Sequence, residues 1–590
     1  MDEIYEFYNK INSFSRYITT VDILDLKLEY NNLYISLKTN SLEKVEIDIF
    51  ISDFENLESY IKKVNENFVK QEIKRVNYLL DDVNGYSLDE LQKRVVVTDE
   101  INTLVIAGAG SGKSLTIVGK IRYLIEELKI NPMEIIAISF TNDSTNSLKN
   151  SIEKNYHYHV QVYTFHKLAL HILKGNNENI LSISPGDYLE YFIDEYFSTT
   201  VFLYPKMMQK ILRYFNIYAF SSNVKKKYEQ FRKTKEMEMW KKLLSRFIHL
   251  FKSNAYCEND FVSFFLENKR HFYKKDYYRH KVFLNFSFLI YNLYQNELSS
   301  QGMVDFDDMI HLATNSVLDK GLPFKCSYLI IDEYQDTSYL RAYFVKAILE
   351  KTKSKFLAVG DDFQSIYRFS GCDLNIFLNF QDYFSNPMVM KIENTYRNSQ
   401  QLIDVAGNFV MKNKNQLRKS LHSEKSLEKP IHIVYYENQR AVFKQLILDI
   451  YDSTSKSILI LGRNNRDIND VIDSDFVLNY DGTLLFVGKK EISLRYLTVH
   501  KSKGLEEENV IVLHMENSVM GFPNQMIDDS VLKYVVCKED KFLFSEERRL
   551  FYVAITRTKN ITYLLTPKNN PSVFIKELLR DYKDFCNIIN

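Results

Sequence analysis

A loop with the residue types and spacing of a phosphate-binding loop runs through Gly108-Ala109-Gly110-Ser111-Gly112-Lys113-Ser114. Its glycines let backbone N–H groups curl around phosphate oxygens, and the N-terminus of the following helix adds partial positive charge. Lys113 would reach the β- and γ-phosphates of a nucleotide, and Ser114 would ligate Mg²⁺. The loop therefore predicts a site for ATP and Mg²⁺.

Two adjacent carboxylates, Asp332 and Glu333, follow the apolar run 328–331. In a phosphate-loop enzyme, Asp332 would hold Mg²⁺ through water, and Glu333 would orient and deprotonate the attacking water. A solvated turn is the alternative for such a pair alone, but the phosphate loop and the polar residues 335–337 favour the catalytic interpretation. Hydrolysis also needs positive charge on the transition-state oxygens. Arg397 and Arg557 are candidates, although composition alone does not single them out.

The elements around these residues favour an α/β fold. Residues 103–140 have the pattern of strand, loop, helix and strand, a βαβ unit that favours a parallel sheet covered by helices. Residues 176–299 lack strand alternation and have a helical pattern. Further strands are predicted at 328–332, 356–360, 431–436, 457–462, 495–500 and 509–514. The pattern predicts two α/β domains with a helical insertion in the first.

The N-terminal residues 1–85 are predicted to form a small α+β module. Residues 30–50 have the pattern of two short strands around the turn 40–43, and residues 53–80 have apolar residues at the three- and four-residue steps of a helix. Every nucleotide motif lies after this module. We therefore expect a chain that begins near Ser87 to keep DNA-stimulated ATP hydrolysis but to lose a partner contact or some stability.

Charge is segregated along this chain of 590 residues, whose formal net charge is zero. Residues 1–60 hold 12 acidic and 5 basic residues, a net of −7, whereas residues 201–281 hold 19 Lys or Arg and 7 Asp or Glu, a net of +12. The separation suggests one region that faces a polyanion and one that faces something else; solvated faces of two domains are the alternative. The basic segment includes Lys225-Lys226-Lys227, Lys233, Lys235, Lys241, Lys242, Lys269-Arg270 and Lys274-Lys275.

The composition argues against several classes of protein. No apolar run reaches the roughly 18–20 residues that a membrane helix needs, and the acidic start MDEIYEFYNK is unlike a secretory signal. The 5 cysteines include no CxxC pair, which argues against a disulfide framework, a zinc ribbon or an iron–sulfur cluster. We therefore expect a soluble cytoplasmic protein with no membrane contact.

The order of the polar motifs resembles that of superfamily 1 DNA helicases of the UvrD/Rep class. The resemblance covers residues 88–574, most of the chain, and the YRFSG string at 367–371 is similar to the helicase IV group. Each motif alone is moderately specific, but their shared order makes coincidence negligible. The motifs lie at 88–92, 108–114, 138–142, 164–168, 304–308, 332–337, 359–371, 395–397, 498–506 and 546–557.

The resemblance implies roles for residues around the nucleotide. Gln92 would read the adenine edge, Tyr396 would stack on adenine, and Glu506 would face the nucleotide. Gln364 would sense the γ-phosphate, with Arg397 and Arg557 as arginine fingers. The implied catalytic residues are Lys113, Glu333, Gln364, Arg397 and Arg557; the nucleotide-binding residues are Gln92, Gly108, Ala109, Gly110, Ser111, Gly112, Lys113, Ser114, Tyr396 and Glu506; the Mg²⁺ ligands are Ser114 and Asp332.

The resemblance also implies a path for single-stranded DNA. In the family an aromatic residue of the 359–371 motif stacks on a base, which corresponds to Phe369, with Tyr367 close by. Many relatives carry an arginine where this chain has Ser370, so one coupling salt bridge of the family lacks its usual residue. The implied DNA-binding residues are Phe140, Thr141, Asn142, Thr164, Phe165, His166, Tyr367, Phe369, His500 and Lys501.

The resemblance implies two RecA-like parallel-sheet motor domains. The first would comprise residues 86–175 and 300–390, with the basic helical insertion at 176–299, and the second would comprise residues 391–590. Because the interval between Arg397 and His500 is short, the large insertion that UvrD and Rep carry there would be absent or vestigial.

The implied function is an ATP-dependent single-stranded DNA translocase or DNA helicase. It would move 3′ to 5′ and unwind duplex DNA in repair, recombination or phage defence. It would use ATP and Mg²⁺, bind single-stranded or partly duplex DNA, and work at the bacterial nucleoid. The alternative is a partner-driven ATPase switch that remodels a protein–nucleic acid complex such as RNA polymerase or a defence nuclease. The N-terminal module would be a surface for a protein partner. The intact Lys113, Glu333 and Arg557 disfavour a degenerate structural paralogue.

Overall fold

The computed structural model describes residues 2–39, 44–178, 182–270, 272, 276–453, 457–536 and 542–590. Two large sheets dominate these residues, one of six strands and one of eight. The predicted turn 40–43, the pair Lys274-Lys275 and Cys537 lie outside the described residues. No helix in the described part of the chain is long and apolar enough to cross a membrane.

The N-terminal module is built of helices, and residues 30–39 and 45–50 are helical, so the two strands predicted within residues 30–50 are wrong. The alternation of apolar and polar residues there imitates a strand, but the buried positions follow the helical step: Ile47, Phe50 and Phe54 lie on one face. The helix predicted over 53–80 is divided among three helices, the end of α3, then α4 and α5. The helices are α1 (Asp2–Ser13), α2 (Thr20–Thr39), α3 (Val45–Glu55), α4 (Leu57–Arg75) and α5 (Asn77–Leu80).

The first α/β domain opens with the predicted βαβ unit. Strand β1 is buried along its whole length, and its carboxyl end leads directly into the phosphate loop. The elements are α6 (Glu90–Val97), β1 (Asn102–Ala107), α7 (Lys113–Glu126), β2 (Ile135–Ile138), α8 (Asn142–Tyr156), β3 (Gln161–Tyr163) and α9 (Phe165–Gly175).

A helical insertion follows, as the lack of strand alternation predicted. A short parallel pair of strands closes its base, where the chain enters and leaves the insertion. The elements are β4 (Ser182–Ile183), α10 (Tyr188–Ser198), α11 (Pro205–Tyr214), α12 (Val224–Phe231), α13 (Lys235–Ser253), α14 (Asp260–Lys269), α15 (Tyr277–Ser300) and β5 (Met303–Val304).

The chain then completes the first sheet, in the order β3-β2-β6-β7-β1-β8 with every pair parallel. Parallel strands share one carboxyl edge, so the phosphate loop after β1 and the acidic pair after β6 meet there. Strand β8 crosses the expected domain boundary at residue 390. The elements are α16 (Phe306–Lys320), β6 (Tyr328–Ile331), α17 (Tyr339–Thr352), β7 (Lys355–Gly360), α18 (Leu374–Leu378), α19 (Phe380–Tyr383) and β8 (Met388–Ile392).

The second domain is built on the eight-stranded sheet, in the order β11-β12-β13-β10-β14-β15-β9-β16. All its pairs are parallel except the hairpin of β11 and β12 and its pairing with β13. The elements are α20 (Gln400–Met411), β9 (Ile431–Tyr436), α21 (Gln439–Ser453), β10 (Ser457–Gly462), β11 (Phe476–Leu478), β12 (Thr483–Phe486), β13 (Ser493–Thr498), β14 (Glu507–Val512), α22 (Ser545–Ile555), β15 (Thr558–Pro567), α23 (Val573–Asp581) and β16 (Cys586–Ile589).

The end of the N-terminal module forms part of the first domain's core. Side chains from α4, α5 and the turn after them pack with Val105 of β1 and Ile117 of α7, and the Tyr123 hydroxyl donates a hydrogen bond to Glu72 at 2.9 Å. A chain that begins near Ser87 would uncover this core, so the packing argues for a larger loss of stability than the sequence suggests. The buried side chains involved are Val69, Ile73, Val76, Leu79, Leu80 and Val83.

Candidate functional site

The phosphate loop has the backbone geometry that its glycines predict. Gly110 and Gly112 have φ angles of +69° and +72°, in the left-handed region that glycine adopts without strain. The N–H groups of residues 110–114 have no hydrogen-bond partner among the described residues. These unpaired donors surround the N-terminus of α7, which favours an anion. The loop can therefore hold phosphate groups.

Both glycines also allow close approach by other segments. A Cβ on Gly110 would lie 2.5 Å from the Cβ of Arg397, and a Cβ on Gly112 would lie 2.5 Å from Nε2 of Gln92. The Thr395 hydroxyl donates to the carbonyl of Ala109 at 2.8 Å. The loop is therefore the meeting point of the first domain, the second domain and the residue expected to read adenine.

Two neighbouring lysines hold Glu333 in its ionised form. Its carboxylate lies 3.4 Å from Nζ of Lys113 and 3.3 Å from Nζ of Lys503. Burial raises the pKa of Glu333, but these two ammonium groups outweigh burial and hold the pKa well below its usual range. Gln335 Nε2 also donates to the carboxylate at 2.5 Å. Glu333 is thus ionised and oriented at neutral pH.

Asp332 and Ser114 supply oxygen ligands of the kind that Mg²⁺ prefers. Burial, followed by the neighbouring Glu333 carboxylate, raises the pKa of Asp332 to about 6. A cation beside this buried carboxylate would offset both effects, so the donor chemistry fits Mg²⁺. No cluster of three or more His, Cys, Asp or Glu residues is arranged to hold a metal in the described part of the chain. The protein alone therefore offers a partial set of ligands.

Arg557 and Gln364 face each other across the two domains. An Nη2 group of Arg557 donates to Oε1 of Gln364 at 3.3 Å, and Gln364 Nε2 donates to Asp361 at 2.6 Å. Arg557 is 1% exposed, and burial, with the nearby charge of Arg397, lowers its pKa to about 9. No carboxylate among the described residues pairs with Arg557, and a buried guanidinium of this kind is suited to an anionic ligand.

Arg397 and Tyr396 approach the loop from the second domain. Arg397 Nε donates to Glu506 at 2.7 Å, and Lys559 lies 3.3 Å from the same carboxylate. The Tyr396 hydroxyl donates to Asp89 at 2.6 Å, and its ring is half exposed. The structure therefore brings the whole predicted catalytic set to one cleft, with Glu506 at its rim.

Gln92 lies against the phosphate loop, although its amide is already engaged. Its Nε2 donates to the carbonyl of Ser111 at 2.8 Å, and its Oε1 accepts from the N–H of Asp89 at 3.0 Å. Gln92 thus closes a capping box at the start of α6. Gln92 lies beside Asp89, which pairs with Tyr396, and this position suits an adenine site. The hydrogen bonds of Gln92 also stabilise the phosphate loop.

An aromatic cluster stands where the two domains meet. The rings of Phe369 and His500 lie edge to face with centroids 5.5 Å apart, and the Tyr367 hydroxyl donates to the carbonyl of His500 at 2.8 Å. Phe369 is 48% exposed, so part of its side chain is open to solvent. Burial, with Arg463 nearby, lowers the pKa of His500 to about 4, so His500 is neutral at physiological pH. Lys501 beside it is exposed.

The residues of the first domain that are predicted to contact DNA differ in how exposed they are. Phe165 is 2% exposed and packs in the core against the edge of Phe140, so in this position it cannot stack on a base. The hydroxyls of Thr141 and Thr164 cap α8 and α9, while Asn142 is exposed at the start of α8. Burial, then Arg341, lowers the pKa of His166 to about 4, and its ring contacts Phe306.

Sequence reasoning assigned no role to two buried lysines at the cleft. Lys503 forms an ion pair with Asp336 and donates to the carbonyl of Gln364 at 2.8 Å. Lys419, from the loop after α20, forms ion pairs with Asp361 and Asp362. The motif 498–506 contains Lys503 and could have indicated it. Lys419 lies in no motif, and only the fold reveals its partners.

The fold and the cleft define a phosphate-loop protein with two RecA-like α/β domains. A family model of the UvrD/REP helicase N-terminal domain matches residues 88–385, and one of the UvrD-like helicase C-terminal domain matches residues 486–568. The chain belongs to the UvrD/REP helicase family and is an enzyme of that class.

Three relatives illustrate the similarity. DNA helicase IV of Escherichia coli (strain K12) is 26% identical over 84% of this chain and 70% of that protein. ATP-dependent DNA helicase Rep of Buchnera aphidicola subsp. Baizongia pistaciae is 27% identical over 64% of this chain and 52% of that protein. A probable DNA helicase II homolog of Mycoplasma capricolum is 27% identical over 58% of this chain and 44% of that protein. The chain thus spans less than two thirds of the last two relatives.

Proposed function

We propose that this chain is an ATP-driven motor that moves along single-stranded DNA and separates duplex strands. One observation carries the proposal: catalytic side chains from two domains converge on one phosphate loop. Lys113 and Glu333 come from the first domain, while Arg397 and Arg557 come from the second. A site divided in this way makes hydrolysis depend on the relative position of the domains.

Each group at the cleft has a defined part in hydrolysis. Glu333, held ionised by its two lysines, accepts the proton of the attacking water. Lys113, Arg397 and Arg557 stabilise the negative charge that develops on the phosphate oxygens. Mg²⁺, held through Ser114 and Asp332, would supply Lewis acidity at the phosphates.

The link from nucleotide to DNA runs through one short loop. Gln364, which touches Arg557, stands only a few residues before Tyr367 and Phe369, and Tyr367 bonds to the His500 carbonyl of the second domain. A change at the γ-phosphate therefore moves the exposed ring of Phe369. Stacking of a base on such a ring contributes about 1–3 kcal/mol, so the grip on the strand changes with the nucleotide.

Unwinding of tailed duplexes tests this proposal. We expect ATP-dependent separation of a duplex with a 3′ single-stranded tail, little separation with a 5′ tail, and none with blunt ends. The variant Glu333→Gln is the control for ATP-independent melting. Failure to unwind any of these duplexes, with ATP hydrolysis that ignores DNA, would overturn the proposal. Repair, recombination and phage defence are the settings we propose for this activity.

A partner-driven switch is the second candidate, and the N-terminal module favours it. Helix α2 carries apolar side chains on a second, exposed face, beside acidic residues such as Asp25 and Glu29. Exposed apolar surface of this kind often marks a protein contact. Strong stimulation of ATP hydrolysis by DNA alone would exclude this candidate. The exposed residues are Val21, Leu24, Leu28 and Ile35, between 48% and 77% exposed.

A further inference from the structure

A strap from the second domain, residues 528–536, is buried in the core of the helical insertion. Val531, Leu532 and Tyr534 are at most 4% exposed, and they pack with the aromatic residues of the insertion. The strap lies between β14 and α22 in sequence, so it belongs to the second domain. The insertion is therefore attached to both domains, to the first by the chain and to the second by this strap.

Polar contacts fix the register of the strap. The ring nitrogens of His280 in α15 lie 2.8 Å from the Ser530 hydroxyl and 3.0 Å from the Tyr534 hydroxyl. Asn254 donates to the carbonyl of Val535 at 2.9 Å. Burial and hydrogen bonds together hold the strap against the insertion.

Asp528, at the start of the strap, joins three parts of the molecule. One carboxylate oxygen lies 2.9 Å from Arg246 of α13 in the insertion, and the other lies 3.0 Å from Arg368 of the first domain. Arg368 also pairs with Glu546, in the first turn of α22, at 2.8 Å. These four side chains are each between 23% and 34% exposed, so solvent screens them only in part.

The position of this cluster connects it to the cleft. Arg368 stands between Gln364, which touches Arg557, and the base platform Phe369. Helix α22, which begins beside Glu546, leads directly to Arg557. A movement of the second domain must therefore break a pair at Asp528 or carry the insertion with it.

We propose that Asp528 is a positioning residue that makes the location of the basic insertion depend on the state of the nucleotide cleft. The insertion carries exposed lysines suited to DNA phosphates. Through Asp528, ATP binding changes how the insertion holds DNA. This inference rests on the proposed function, because it needs ATP and DNA to bind the same chain.

The test compares DNA affinity with and without a non-hydrolysable ATP analogue, in the full-length protein at fixed salt. The ratio of the two dissociation constants is the coupling factor, typically about 5- to 150-fold between linked sites. We expect Asp528→Asn to bring this factor close to one while ATP analogue and DNA each still bind. The matched control is Asp194→Asn, which removes a pair with Lys241 of the same helix α13 inside the insertion. This control should keep the wild-type factor.

A second variant guards against simple misfolding. Arg246→Gln removes only the insertion's pair with Asp528, and it should lower the coupling factor without lowering the melting temperature. The double variant should be no worse than Asp528→Asn alone, because both changes act on the same pair. A wild-type coupling factor in Asp528→Asn, or additive effects in the double variant, would overturn this inference and leave the proposed function intact. If the wild-type protein binds no ATP analogue or no DNA, the proposed function is overturned instead.

Discussion

Removal of the first 86 residues should unfold the first motor domain. Six apolar side chains of residues 69–83 are at most 7% exposed within the core of that domain. Burial of each such side chain contributes about 1.5–3 kcal/mol, so the loss is about 9–18 kcal/mol as an upper estimate. The net stability of a domain is about 5–15 kcal/mol. The loss is therefore as large as the whole stability.

The matched control is a chain that begins at Lys62, which removes the module's own core, together with Tyr17 of the first domain's core, but keeps residues 69–83. We expect this chain to express in soluble form, melt cooperatively and bind an ATP analogue, whereas the chain that begins at Ser87 should aggregate. Thermal unfolding followed by circular dichroism, with analogue binding on the same samples, makes the comparison. Wild-type melting and binding by the chain from Ser87 would refute the reasoning.

Four further predictions concern the site. Glu333→Gln should lower the rate of ATP hydrolysis by about 10²–10⁴-fold while ATP binding persists; a wild-type rate would refute its role as general base. Phe369→Ala should weaken DNA binding by about 1–3 kcal/mol, whereas Phe165→Ala should lower the free energy of unfolding by about 3–5 kcal/mol; the reverse pattern would place Phe165 on the DNA path. Because the pKa of Asp332 is raised to about 6, Mg²⁺-dependent analogue binding should weaken as pH falls below 6, by up to about tenfold per unit; a flat profile would contradict this. Reversal of four exposed lysines of the insertion to glutamate should flatten the salt dependence of duplex binding, by up to about 0.9 in log–log slope per lost phosphate contact. The same reversal of four exposed lysines on α4 is the control and should leave the slope unchanged. The test lysines are Lys225, Lys226, Lys233 and Lys235, and the control lysines are Lys62, Lys63, Lys70 and Lys74.

The sequence predicts the strands of the two motor domains well where they are continuous apolar runs. Strands β9 and β10 begin and end where the runs 431–436 and 457–462 do, because strands buried on both faces carry few polar residues. The N-terminal strands fail because short apolar stretches fit both periods, and tertiary packing selects the helix. Strand β15 starts with polar residues and gives no such signal.

In the candidate site, too, local patterns can be predicted from the sequence and long-range contacts cannot. The sequence identifies Gly110, Lys113 and Glu333, because their chemistry requires fixed local spacing. Phe165 was assigned to DNA from a motif, but its burial depends on how α9 packs. Lys419 reaches Asp361 only through the docking of the second domain on the first. Contacts that cross domains therefore lie beyond sequence reasoning.

Steady-state ATP hydrolysis with and without single-stranded DNA is the most direct test of the central claim, that one cleft shared by two domains drives movement on DNA. We expect DNA to stimulate ATP hydrolysis by the wild-type protein strongly. We also expect Arg557→Ala to lose about 10³–10⁵-fold in the stimulated rate while it still binds ATP and DNA. Hydrolysis that is indifferent to DNA, or that survives without Arg557, would contradict the account.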